Sequence, residues 1–348
     1  MLHRLFALLF LAFSAPLAAQ PPVPRGTPIA IGTSYTIQSG HLEAPRTINI
    51  RLPAGYEQQP NRRWPVLYLL DGGVDQDFPH IAGIAQHADI SWTFEPFILV
   101  GIQSVRRPFE LTFPASDERY GERQRPNGGS DRMRAFLREE VRPFVEARVR
   151  SSGEDILMGE SLAGLFVVET LLRAPAMFDT YIAISPSLWW NRGALPAEAP
   201  RLLARHDSAP RRLYLTVANE GGTHRRGIDA FVSALEASAR ATLDWRFVDR
   251  SATETHSSIY HAAALDALRT LYPIPYREGF SPETPWHYDG ALPPLSEDAK
   301  RSIEAGECTA AIARRTTLAE IAADEAYWRG MCVIVDYGPP LPVRRRQR

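Results

Sequence analysis

Six short apolar runs, residues 66–70, 97–102, 156–158, 181–184, 213–218 and 243–248, punctuate this chain. Segments of helical character separate most of them. The clearest is 133–149, where Met133, Phe136, Leu137, Val141, Phe144, Val145 and Val149 make one apolar stripe. A strand without a polar face has to be covered on both sides, and strands alternating with helices pair in parallel. The expected fold is therefore α/β, a mostly parallel central sheet with helices on both faces. Upstream, 34–38 and 47–52 alternate apolar and polar residues and read as an antiparallel hairpin. Further helices are predicted over 227–238 and 259–271. No internal repeat or low-complexity block interrupts the pattern.

The ends of the chain have a different character. Residues 1–19 combine a basic position at Arg4, an apolar stretch over 5–13 and small residues through Ala19, the layout of a secretory signal peptide. That stretch is too short to span a bilayer. Cleavage after Ala19 leaves a chain starting at Gln20, with no membrane span and no cysteine there to carry a lipid, so the expected location is periplasmic or secreted. The main domain is expected over 20–273. A small C-terminal extension of short helices follows over 274–348. It holds both cysteines, Cys308 and Cys332, which can bridge in an oxidising compartment; two separate buried thiols are the alternative. With 39 Lys and Arg against 40 Asp and Glu, the chain lacks the basic surplus that a nucleic-acid partner needs, and Arg344-Arg345-Arg346 reads as a solvated tail.

G-x-S recurs along the chain, ending among other places at Ser34, Ser130 and Ser161. Only Ser161, in ILMGESLAGLF, follows an apolar strand and opens a helical pattern. That context is a nucleophile elbow, a strained strand-to-helix turn that lifts the serine hydroxyl above a sheet. Such a turn leaves little room two positions before and after the serine, where Gly159 and Ala163 stand. The common form has glycine in the fifth position; here it is displaced to Gly164. A serine N-cap on an ordinary helix is the alternative.

From about residue 34 to residue 272 the chain resembles the putative-esterase family of α/β hydrolases, which includes siderophore (enterochelin-type) esterases. The resemblance is carried, in family order, by VLYLLDGG (66–73), ILVGIQSVRRPFELT (98–112), DRMRAFLREEVRPFVEAR (131–148), MGESLAGLFVVETLL (158–172), YIAISPSLWWN (181–191) and ETHSSIYHAA (254–263). It implies the α/β-hydrolase fold with Ser161 as nucleophile. A serine needs a base within reach. His256, between the final strand and the final helix, stands where this fold presents its base; His224 opens a polar segment and His261 falls inside a predicted helix. Glu220, ending LYLTVANE, is the expected acid, with Asp229 and Glu254 as competitors. The oxyanion donors are expected to be the Leu162 N–H and that of Gly72 or Gly73. Trp189 and Trp190 wall the pocket or lie in the core, and Arg107 and Glu110 pair to fix a loop.

No metal-ligand spacing and no phosphate-binding glycine fingerprint appears, so neither metal nor cofactor is expected. The implied function is an exported serine carboxylic-ester hydrolase that forms an acyl-enzyme on Ser161. Its partner is a small-molecule ester, siderophore-like or a bulky aryl ester. A thioesterase or acyltransferase of the same fold is the alternative, and a non-catalytic hydrolase-like binding module is the alternative of another class.

Overall fold

The structure, a computed structural model, describes residues 26–91, 93–116, 126–238 and 242–274. The expected signal peptide, the extension beyond Ile274, and Cys308 and Cys332 lie outside the described residues. Eight strands form one sheet in the order β1-β2-β4-β3-β5-β6-β7-β8. They are β1 (Thr33–Ile37), β2 (Arg46–Arg51), β3 (Trp64–Leu70), β4 (Ile98–Ile102), β5 (Ser151–Glu160), β6 (Thr180–Ile184), β7 (Arg211–Val217) and β8 (Leu243–Asp249). The first two form the predicted hairpin, and β2 runs antiparallel to β4. From β4 through β8 every pairing is parallel.

Alternate residues of each central strand feed two cores. From β3, Val66, Tyr68 and Leu70 join one apolar cluster, while Leu67 and Leu69 join the other. The second cluster is capped by α1 (Phe78–Ser91) and α8 (Ile259–Leu271). The first is covered by α3 (Ser130–Phe136), α4 (Arg142–Glu146), α5 (Leu162–Arg173), α6 (Trp190–Leu203) and α7 (Gly222–Ser238). A short helix, α2 (Arg107–Leu111), follows β4. The predicted helix over 133–149 is present, but one π-helical turn, Leu137–Val141, stands between α3 and α4. This sheet with helices on both faces is the α/β-hydrolase fold. Among the described residues, no helix is long and apolar enough to cross a membrane.

Buried polar groups fix the loops at the carboxyl ends of the strands. Arg46 on β2 and Glu110 on α2 form an ion pair at 2.6 Å, both fully enclosed. Glu110 also accepts the backbone N–H groups of Val105 and Arg106, both at 3.0 Å. Arg107 does not pair with Glu110 as expected: its Nε donates to Asp71 Oδ2 at 2.7 Å. Both residues fix loops, but different ones, because the start of α2 sends Arg107 across to the β3 turn while Glu110 turns inward to β2.

Candidate active site

The strand β5 ends in Gly159-Glu160 and α5 begins at Leu162, leaving Ser161 as the single residue of the turn. Its backbone has φ 59° and ψ −117°, a conformation strained for any residue with a Cβ. The neighbours show why small residues flank it. A Cβ on Gly159 would lie 2.6 Å from the Ala163 Cβ, and one on Gly164 would lie 3.0 Å from the Pro186 Cα. Backbone hydrogen bonds hold the turn to the loop after β6: Ser161 N–H donates to Ile184 O at 3.0 Å, and Ser187 N–H donates to Ser161 O at 2.9 Å. As the first residue of α5, Leu162 carries an N–H that has no intrahelical acceptor.

His256 lies between β8 and α8, and Glu220 lies between β7 and α7. Neighbouring parallel strands bring their loops together, and His256 Nδ1 donates to Glu220 Oε1 at 2.5 Å. The competing acids are occupied elsewhere. Asp229 accepts from Arg225 at 2.7 Å and Glu254 from the Ser258 hydroxyl at 2.6 Å. Glu220 also accepts a hydrogen bond from the Ser185 hydroxyl. Burial works to raise its pKa, but the hydrogen bonds from His256 and Ser185 outweigh this and hold it down at about 2. The same hydrogen bond, with help from Glu160 and against the effect of burial, raises His256 above its ordinary value. Glu160, the residue before Ser161, is itself pushed up to about 7 by burial, and the charge on His256 opposes that rise. Elbow and imidazole are therefore electrostatic neighbours. The Ser161 hydroxyl is engaged with Ser187 Oγ, 3.3 Å away, rather than with the imidazole.

Among the other histidines, His261 lies on α8 and meets His80 Nε2 at 2.9 Å. His224 opens α7 beside the site. Its ring centroid is 5.8 Å from that of His256, and its Nε2 is 4.0 Å from Glu220 Oε1. Burial lowers its pKa.

The two candidate glycines of the β3 turn differ. Gly72 N–H already donates to Ile102 O at 2.7 Å, which removes it as a donor to any ligand. Gly73 N–H donates to the Gln76 side chain at 3.0 Å, an acceptor that can swing away. Gln76 also ties this turn to Ser104 through two further hydrogen bonds. The paired tryptophans separate as well. Trp190 is fully buried, with its Nε1–H donating to Phe113 O at 2.9 Å, so it belongs to the core; Trp189 is only partly buried. Ser185 and Ser187 were not singled out from the sequence, although they stand in the quoted segment 181–191. A hydroxyl on a strained elbow, a raised imidazole and an anionic carboxylate beside a helix N-terminus form a set suited to acyl transfer. Among the described residues, no group of three or more His, Cys, Asp or Glu is arranged to hold a metal.

Comparison with known proteins points the same way. The family described as "Putative esterase" matches residues 39–264. A siderophore triacetylfusarinine C esterase of Aspergillus fumigatus is 27% identical over 265 residues, covering 70% of this chain and 87% of the relative. A siderophore enterobactin esterase of Emericella nidulans is 37% identical over 110 residues, but the match covers only 29% of this chain and 36% of that protein. Among solved structures, an IroE-like serine hydrolase from Shewanella oneidensis superposes with a TM-score of 0.64 at 28% identity, covering 69% of this chain and 80% of its own.

Proposed function

The chain belongs to the putative-esterase family, and from that premise we propose that it is a serine carboxylic-ester hydrolase working through Ser161, His256 and Glu220. The observation that carries this reading is the His256 Nδ1 to Glu220 Oε1 hydrogen bond beside the elbow. With Nδ1–H given to the carboxylate, the other ring nitrogen, Nε2, is the one left to take a proton.

In the proposed reaction, His256 Nε2 accepts the Ser161 proton as Oγ attacks the ester carbonyl carbon. The C=O electron pair moves onto oxygen, and the oxyanion is held by the Leu162 and Gly73 N–H groups after Gln76 releases the latter. Collapse breaks the bond to the alcohol oxygen, which leaves with the proton carried by His256. Water then gives a proton to His256 as it attacks the acyl-enzyme. The second collapse returns that proton to Ser161 and frees the acid. Glu220 stays ionised throughout and stabilises the imidazolium.

Two relatives are named as siderophore esterases, and we extend that class to this chain: the substrate is an ester or lactone of the siderophore kind, or a bulky aryl ester. Residues 1–19 act as an export signal in this reading, which puts the enzyme outside the cytoplasm. Labelling with a fluorophosphonate tests the mechanism. The wild type is expected to be modified once, on Ser161, and Ser161→Ala to be neither labelled nor active above the solution rate. Equal labelling of both proteins would sink the reading. A kinetic panel of short acyl esters, aryl esters, a thioester and a trilactone siderophore tests the substrate class, and a preference for the thioester would move the assignment to a thioesterase.

A further inference from the structure

Ser161 follows β5 and Glu220 follows β7, and β6 lies between those two strands. Strands in a sheet stand about 4.8 Å apart, so nucleophile and acid spring from backbone lines separated by roughly 10 Å. What fills that gap at the carboxyl end of β6 is the tripeptide Ser185-Pro186-Ser187, with both serines buried. It reaches both neighbours. The Ser185 hydroxyl donates to Glu220. The Ser187 hydroxyl meets Ser161 Oγ at 3.3 Å, and its backbone N–H donates to Ser161 O.

The tripeptide is built to stay put. Ser185 has φ 39°, a strained value for a non-glycine residue, and its N–H is tied to the buried Thr216 hydroxyl at 3.2 Å. Two glycines let the loop sit tight between its helices. A Cβ on Gly164 of α5 would meet Pro186 Cα at 3.0 Å, and a Cβ on Gly227 of α7 would meet Leu188 O at 2.7 Å.

Resting on the Ser161–His256–Glu220 reading, we infer that Ser185 and Ser187 are positioning residues that set the nucleophile and the acid at a fixed separation. Ser187 donates to Ser161 Oγ, which leaves the Ser161 proton for His256. Ser185 holds the carboxylate oxygen at which His256 donates, and so keeps that carboxylate turned toward the imidazole.

The test uses the full chain with each hydroxyl removed, as Ser187→Ala and Ser185→Ala. Ser187→Ala is expected to lower kcat on p-nitrophenyl acetate about tenfold with KM unchanged, the size of one hydrogen bond to the nucleophile. The fluorophosphonate labelling rate should fall by the same factor, since phosphonylation draws on the same activated Ser161 hydroxyl. Ser185→Ala should lower kcat and also move the acid limb of kcat/KM about half a unit toward lower pH. A carboxylate free to turn away from His256 loses part of the hydrogen bond that raises the imidazole. The titratable and charged groups facing His256 are Glu220 after β7, Glu160 at the end of β5, Arg107 on α2 and His224 on α7, and neither variant substitutes any of them. Should Ser185→Ala fail to fold, Ser185→Gly accepts the same φ without strain and removes the same hydroxyl. Unchanged labelling by Ser187→Ala, or an unmoved acid limb in the Ser185 variant, would overturn the inference. An unlabelled wild type would instead overturn the serine-hydrolase reading on which it rests.

Discussion

Glu220 shows how a single side chain sets the working range of another. Burial alone raises a carboxylic acid's pKa, yet the donors around Glu220 reverse the sign and hold it at about 2, so it is anionic at any ordinary pH. That fixed charge keeps His256 above its ordinary value. In the proposed mechanism the active form of the base is the neutral imidazole, which dominates above its pKa, so kcat/KM should fall as pH drops through a value above 6.5. Glu220→Gln removes the charge that raises the imidazole. The acid limb should then move to lower pH while kcat drops about a hundredfold or more, as expected when the orienting acid of a triad is lost. A pH–rate profile of both proteins decides it, and an unmoved limb would show that His256 does not depend on Glu220. His224 is the control at this scale: lying 4.0 Å from the same carboxylate, it should give a smaller shift when changed to Gln.

Turns and short helices set the geometry that those residues need. The Asp71-Gly72-Gly73 turn presses against β4 so closely that a Cβ on Gly72 would lie 2.3 Å from Gly101 Cα and 2.4 Å from Ile102 N. Both obstacles are backbone and cannot rotate aside. Gly72→Ala should therefore destabilise the protein by about 3 kcal/mol or more, at the upper end of overpacking costs, as read from urea unfolding. The Arg46–Glu110 pair makes a second claim on this scale. Arg46→Met leaves the Glu110 carboxylate enclosed with only two backbone donors. Removing one partner of such a pair costs about 3–5 kcal/mol. A loss within 1 kcal/mol would mean that water reaches Glu110 once Arg46 is gone.

For the molecule as a whole, the proposed function depends on adjacency across the sheet. Ser161, Ser185, Glu220 and His256 follow β5, β6, β7 and β8, four strands in consecutive positions. Each chemical group is thus delivered by a separate strand to one edge of a rigid parallel sheet, where helix N-termini and strand carboxyl ends converge. Beyond the described residues, the export reading makes its own prediction. The secreted protein should begin at Gln20 and carry a Cys308–Cys332 bridge, worth about 3 kcal/mol by loop closure. Peptide mass spectrometry without reductant checks both; free alkylatable thiols in the exported protein would exclude the bridge.

The sequence by itself determined the α/β class, the parallel sheet, the elbow and the helix over 259–271, because each rests on local periodicity or on residues adjacent in the chain. The family resemblance added His256 and Glu220, which the structure brings within one hydrogen bond. The helix Trp190–Leu203 was not read, since Pro196 and Pro200 signal a break. The non-helical stretch at Asn191, Arg192 and Gly193 restarts the helix just before Pro196, in a first turn where a missing N–H costs little. Choosing Gly73 over Gly72 needed the position of Ile102 O, and placing Trp190 in the core needed Phe113. Ser185 and Ser187 bear on the site only because β6 pairs between β5 and β7. Those facts belong to tertiary structure alone: they join residues 26–77 positions apart in the chain, through strand pairings and close approaches that no local pattern of residues encodes.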